Sequence, residues 1–249
     1  MPELGLIQWL TVALCAVMVG ITKSGVPGLG ILVVPLMATV LPARLSTGVL
    51  LPMLLVGDVF AVYYYHRHAV WRHVVRLMPW ALAGIVIGYF AMGLVSDRSL
   101  RPIIGGVILV LLALNHLRTL GQAEPAIPSH WAFGAMIGLL AGVTTMMANA
   151  AGPIMVIYLL AMRLPKTEFI GTGAWYFLVL NAVKVPFSMH LGLISAATLK
   201  FNLLLVPLIV AGAYAGLWIA KRLPEKMFHR VVVVLTTLAA LNLLLSAVR

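Results

Sequence analysis

Lys23, Asp58, Asn149, Asn181 and Lys184 interrupt long apolar stretches, in places where a membrane-embedded chain tolerates polar groups poorly. An ionisable group inside a span is expensive, and it marks either a ligand pathway or a paired structural contact. The densest interruption is "KSGVPGLG", residues 23–30, which puts a lysine, a proline and three glycines between two apolar runs. Pro27 stops the incoming helix, the glycines let the chain turn sharply, and a new helix starting near Gly28 would aim free N–H groups and its positive dipole end at the turn. Lys23 adds a full charge beside them, so the chemistry suits an anion. A second interruption, "TTMMANAAGPIMV" at residues 144–156, carries Asn149, Gly152 and Pro153 before another short apolar run. Two helix starts facing each other would make one anion site from Lys23, Ser24, Gly25, Gly28, Asn149 and Gly152, with Asn181 and Lys184 completing its wall. The plainer reading of such residues is helix kinking and close packing.

Asp58 falls near the middle of one apolar run and Asn181 near the middle of another, with Lys184 one helical turn from Asn181 on the same face. Asp58 could pair with Lys23 or Lys184 as a structural contact, or it could couple or gate transport by carrying a proton; the residues leave both open. Trp175 and Tyr176 could wall a pocket for an organic substrate, or simply pack. His66, His68 and His73 lie in a basic stretch without a neighbouring carboxylate or cysteine, so a solvated loop is expected there and no metal site. No cofactor-binding or ATP-binding motif is found, and the stretch around Lys23 lacks the spacing of a phosphate-binding P-loop. An embedded enzyme would need an in-span histidine cluster, a Ser–His pair or paired carboxylates, and none of these patterns is seen.

The elements that must hold these residues are membrane helices. Hydrophobic residues make up 63% of the chain and charged ones only 9%, with a mean hydropathy of +1.09, whereas soluble domains carry charge on about a quarter of positions. The net charge of +11 comes from basic residues in short loops, as the positive-inside rule expects, so nucleic acid is not the partner. The first apolar run lacks a basic leader and is expected to stay in the fold, surrounded by lipid. Cys15 is the single cysteine and forms no intrachain disulfide.

Apolar elements are expected at residues 4–21, 29–41, 46–65, 77–95 and 102–117, then at 131–148, 152–162, 168–189, 202–220 and 229–248. That is five elements twice, divided by the polar link at 118–130. The halves match locally. "LPARLSTGVLLPMLLVGD" aligns with "LPKTEFIGTGAWYFLVLN", setting Asp58 opposite Asn181, and "PWALAGIVIGYF" aligns with "PLIVAGAYAGLW", setting Gly84 and Gly88 opposite Gly212 and Gly216. Three pairs of equivalent loops carry opposite Lys/Arg bias, which implies that the copies are inverted. The expected fold is therefore an all-α integral membrane protein. It has two inverted-topology repeats, residues 1–121 and 122–249, whose short broken or re-entrant helices meet near the midplane.

"GITKSGVPGLGILVVPLMA" followed by "TGVLLPMLLVGDVFAVYYYHRHAVW" resembles the sulfite exporter TauE/SafE family of membrane permeases, also called the toluene sulfonate uptake permease family. The likeness runs through both halves. It implies a permease of the bacterial inner membrane for a small sulfur-containing anion such as sulfite or an organosulfonate. The expected activity is secondary transport by alternating access, with protons as a candidate coupling ion. The alternative is a passive anion channel built on the same electropositive site.

Overall fold

A computed structural model describes residues 5–27, 29–41, 43–92 and 130–245 of the chain. These residues form helices α1 (Leu6–Ser24), α2 (Gly30–Val40), α3 (Ala43–Tyr65), α4 (Trp71–Ala91), α5 (Trp131–Ala148), α6 (Ala151–Ala161), α7 (Lys166–His190), α8 (Ala196–Arg222) and α9 (Glu225–Leu245), with one 3₁₀ turn at His66–His68. The expected element at 102–117 and nearly all of the polar link lie outside the described residues.

Five of the helices are long and apolar enough to cross a membrane: Leu6–Ser24, Leu45–His68, Trp71–Ala91, Trp131–Ala148 and Ala196–Arg222. The two short elements expected from sequence are α2 and α6, each of 11 residues. At 1.5 Å per residue each extends about 16 Å, roughly half of a hydrocarbon core. Each packs back on its predecessor, α2 on α1 and α6 on α5. The turn at the first break is tight: a Cβ added to Gly30 would lie 2.9 Å from the Thr22 methyl, so α2 starts beside the last turn of α1. Helix α7 is different. It is 25 residues long but carries Lys166, Glu168, Asn181 and Lys184, and its residues from Phe169 to Ala174, near its start, are buried. Asn181 and Lys184 are buried on it, and both meet polar partners rather than lipid.

Helix α1 runs along α8, α4 along α5, and α3 against α7. Glycine makes the first two contacts close. A Cβ on Gly212 or Gly216 would strike the α1 backbone at Val17 or Ile21, and one on Gly84 or Gly88 would strike α5 at Gly142 or Val143. Small residues one turn apart let membrane helices approach to backbone contact, where packing must replace the missing hydrophobic driving force. The two glycine pairs aligned from sequence thus make equivalent contacts. Apolar side chains of α1, α2, α3 and α8 form one core; those of α4 to α7 and α9 form another around α6.

The expectation of a solvated loop at residues 65–76 holds for the exposed turn at His66–His68 and is corrected from Trp71 onward. Only the 3₁₀ turn and Ala69–Val70 separate α3 from α4, which begins at Trp71, six residues earlier than the apolar pattern suggested. Arg72, His73 and Arg76 dilute hydropathy in the first turns of α4 and so hid them. His73 is buried, and its Nδ1 shares a 2.9 Å hydrogen bond with the Tyr158 hydroxyl of α6. His73→Phe is expected to lower stability by about 1–3 kcal/mol, because it strands that hydroxyl in the core. Adding Tyr158→Phe should recover part of the loss, as read by thermal unfolding in detergent; a single variant as stable as wild type would contradict this.

Candidate functional site

Each break has its own local cause. At the first, the N–H groups of Gly25 and Val26 both donate to the Ile21 carbonyl, at 2.9 and 3.0 Å, which closes α1 at Ser24, before Pro27. At the second, Asn149 ends α5 in the left-handed region with φ of 52°, a conformation asparagine tolerates better than most residues. The N–H groups of Asn149 and Ala150 donate to Thr145 and Thr144. Pro153 then sits in the first turn of α6, where its missing N–H leaves no hydrogen bond unmade.

Between the breaks runs a chain of polar contacts. Lys23 Nζ lies 2.7 Å from Asp58 Oδ1 as an ion pair, and Asn181 Nδ2 donates to Asp58 Oδ2 at 2.6 Å. Lys184 Nζ donates to Asn149 Oδ1 at 2.6 Å, to Thr145 Oγ1 at 3.0 Å and to Asn181 Oδ1 at 3.3 Å. Asp58 and Asn181, the residues aligned between the halves, therefore bond each other directly. Asn181 stands roughly 14 Å from the end of α7 and roughly 23 Å from its start, well inside the helix. Two lysines against one carboxylate leave one positive charge unbalanced when all three are ionised, and a monoanion would complete the cluster.

The two lysines differ in what they have left to offer. An ammonium has three N–H groups, and Lys184 directs all three at protein acceptors inside a fully buried setting. Lys23 pairs with one carboxylate and rests 4.3 Å from the centre of the Phe177 ring, with its side chain 10% exposed. Lys23 is thus the cation with bonding capacity to spare.

Lys23, Pro27 and Gly30 of the first break line the same cavity as Asn149, Gly152 and Pro153 of the second. It is partly open and encloses about 830 Å³ of atom-free space including its mouth. Thr22, Thr145 and Asn181 add to its polar lining, and Leu54, Met155, Leu159, Phe169, Ile170 and Phe177 supply its apolar lining. A Cβ on Gly152 would meet nothing within 4 Å, so this backbone faces open space.

Of the residues singled out from sequence, Lys23, Asn149, Gly152 and Asn181 line this cavity, and Asp58 and Lys184 stand directly behind it. Ser24 and Gly25 lie elsewhere. Ser24 donates to Gly20 and Ala213 carbonyls at 2.8 and 2.7 Å, and Gly25 meets the Gly216 backbone, so both hold α1 against α8. Gly28 is outside the described residues. Neither Trp175 nor Tyr176 is among the lining residues: Trp175 packs on Trp71 and donates to the His66 carbonyl, while Tyr176 is buried in the core. The aromatic walls are Phe169 and Phe177, and Thr22 is a further polar lining residue. Phe177 could have been found by its place one turn from Asn181 and two from Lys184, whereas adjacent helix residues point apart, so nothing local marks Thr22.

Residues 12–243 match the protein family described as sulfite exporter TauE/SafE. The chain is also 29% identical over 179 residues to a probable inner membrane transporter protein TsaS of Comamonas testosteroni, covering 71% of this chain and 73% of that one. No solved structure matches.

Proposed function

Because the chain belongs to the sulfite exporter TauE/SafE family, and is thus a membrane transporter, we propose that it moves a small sulfur-containing anion across the bacterial inner membrane by alternating access. The observation that carries this reading is the shared cavity, in which both helix interruptions meet at a lysine with spare donors. Lys23 binds the anion head together with the amide dipole of Asn149 and the backbone at Gly152. Asn181 holds Asp58 in place, and Lys184 fixes the asparagines from behind. The apolar lining from Leu54, Met155, Phe169 and Phe177 favours an organosulfonate, whose carbon portion would bury against it, over bare sulfite.

The proposed repeats are residues 1–121 and 122–249. The exchange of partners supports them: α1 of the first half lies on α8 of the second, α5 of the second on α4 of the first, and the central α3 and α7 meet at Asp58 and Asn181. Such a two-fold arrangement allows one half to rock against the other around a fixed site. Asp58 is the proposed coupling group, since it is paired with Lys23 and an anion at Lys23 would compete for that pairing.

Flux into proteoliposomes tests the reading. Saturable uptake accelerated by the same anion on the opposite side is expected of a carrier, while a current that rises without saturation would mark a channel. Asp58→Asn is expected to alter the pH dependence of uptake, because the group that exchanges between a proton and Lys23 is gone. An unchanged pH profile would leave Asp58 a purely structural partner.

A further inference from the structure

The Thr22 hydroxyl is buried and has no hydrogen-bond partner among the described residues, although Thr22 lines the cavity next to Lys23. Buried polar groups are nearly always paired, and an exception calls for an explanation. A hydroxyl within a helix ordinarily pairs by donating to the carbonyl one turn back. This chain follows that habit: Thr11 donates to Ile7, Ser24 to Gly20, Thr236 to Val232 and Thr237 to Val233. Thr145 and Thr172 accept instead, from Lys184 Nζ and from the Val70 N–H. Thr22 does neither. Its methyl rather than its hydroxyl makes the close approach to Gly30, where a Cβ would lie 2.9 Å from Cγ2 and 3.7 Å from Oγ1.

We infer that Thr22 Oγ1 is a direct ligand of the transported anion, donating to one oxygen of the head group while Lys23 Nζ takes another. This rests on the reading of the cavity as the transport site. The two donors have different duties. Lys23 supplies charge, and it is shared with Asp58, so its grip changes as that pair opens. The threonine is neutral at every pH of interest and contributes orientation without disturbing the charge balance. A sulfonate or sulfite head has three oxygens, and a site built to bond one of them loses much of its affinity when its own donor is removed.

Thr22→Val keeps the shape of the side chain and deletes the hydroxyl; Thr22→Ser keeps the hydroxyl. Isothermal titration of the purified wild type and both variants would use p-toluenesulfonate, sulfoacetate, taurine, sulfite and thiosulfate as probes. For the anion that wild type binds, Thr22→Val is expected to weaken binding about tenfold or more, and Thr22→Ser to stay much closer to wild type. Without ligand, Thr22→Val should unfold at the same or a higher temperature, because an unpaired hydroxyl has been replaced by an apolar group. Wild-type affinity in Thr22→Val, or weakened binding accompanied by a lowered unfolding temperature, would overturn the inference while leaving the transport reading in place. Failure of wild type to bind any of the five anions would overturn both.

Discussion

Lys23→Ala is expected to reduce anion uptake by about a hundredfold or more, the effect of removing one partner from a buried charge contact with the substrate. The lysine also neutralises Asp58, which is fully buried. Leaving that carboxylate unpaired costs about 3–5 kcal/mol, so the single variant should be both inactive and less stable. The double variant Lys23→Ala/Asp58→Asn separates the two effects. With no stranded charge it should regain much of the stability, seen in its melting temperature and detergent elution profile, yet still fail to transport. Recovery of uptake in the double variant would show that the lysine serves only to neutralise the aspartate.

The second large effect is expected at a residue that moves in the opposite direction. Gly25→Val should prevent accumulation of folded protein, because any Cβ at this position runs into the backbone of Gly216 in α8. Backbone cannot yield as the end of a flexible side chain can, and overpacking of this kind destabilises the whole contact. Gly216→Val should behave similarly from the other side, where a Cβ meets Ile21 and the Ser24 hydroxyl. A well-folded Gly25→Val protein that has lost only transport would restore Gly25 to the anion site; absent protein in the membrane fraction supports the packing role.

These two glycine and lysine positions are neighbours in one short motif, which explains why their roles could not be separated by reading the sequence. Composition reveals that a helix is interrupted at residues 23–30, and the pairing of charges implies a polar centre. Which face each residue takes depends on the partner helix. Ser24 points at the Ala213 carbonyl because α8 passes there, and nothing within residues 23–30 encodes that approach. The same limit hid the saturation of Lys184, whose acceptors Thr145 and Asn149 lie 39 and 35 residues away.

Other features were legible because they rest on covalent or local constraints. Pro27 marks where α1 must end, and short apolar length marks α2 and α6 as incomplete spans. The isolated charges within apolar runs point to Lys23 or Lys184 as the partner of Asp58, and Lys23 forms that ion pair; nothing in the sequence points to the hydrogen bond from Asn181. Apolarity misled at the start of α4, where Arg72, His73 and Arg76 look like loop residues. Buried by α6, His73 satisfies its polarity through Tyr158 and the helix continues beneath it.

On the proposed mechanism an anion occupies the space between the two breaks, held by Lys23. Thiol labelling of Gly152→Cys in a Cys15→Ser background tests it directly, because a side chain at position 152 would enter the open cavity and the native cysteine is buried. A maleimide should label the new cysteine, and a saturating organosulfonate should slow that labelling in the protein with Lys23 intact but not in Lys23→Ala/Asp58→Asn. Labelling that proceeds at the same rate with and without a demonstrably transported sulfonate would contradict the account.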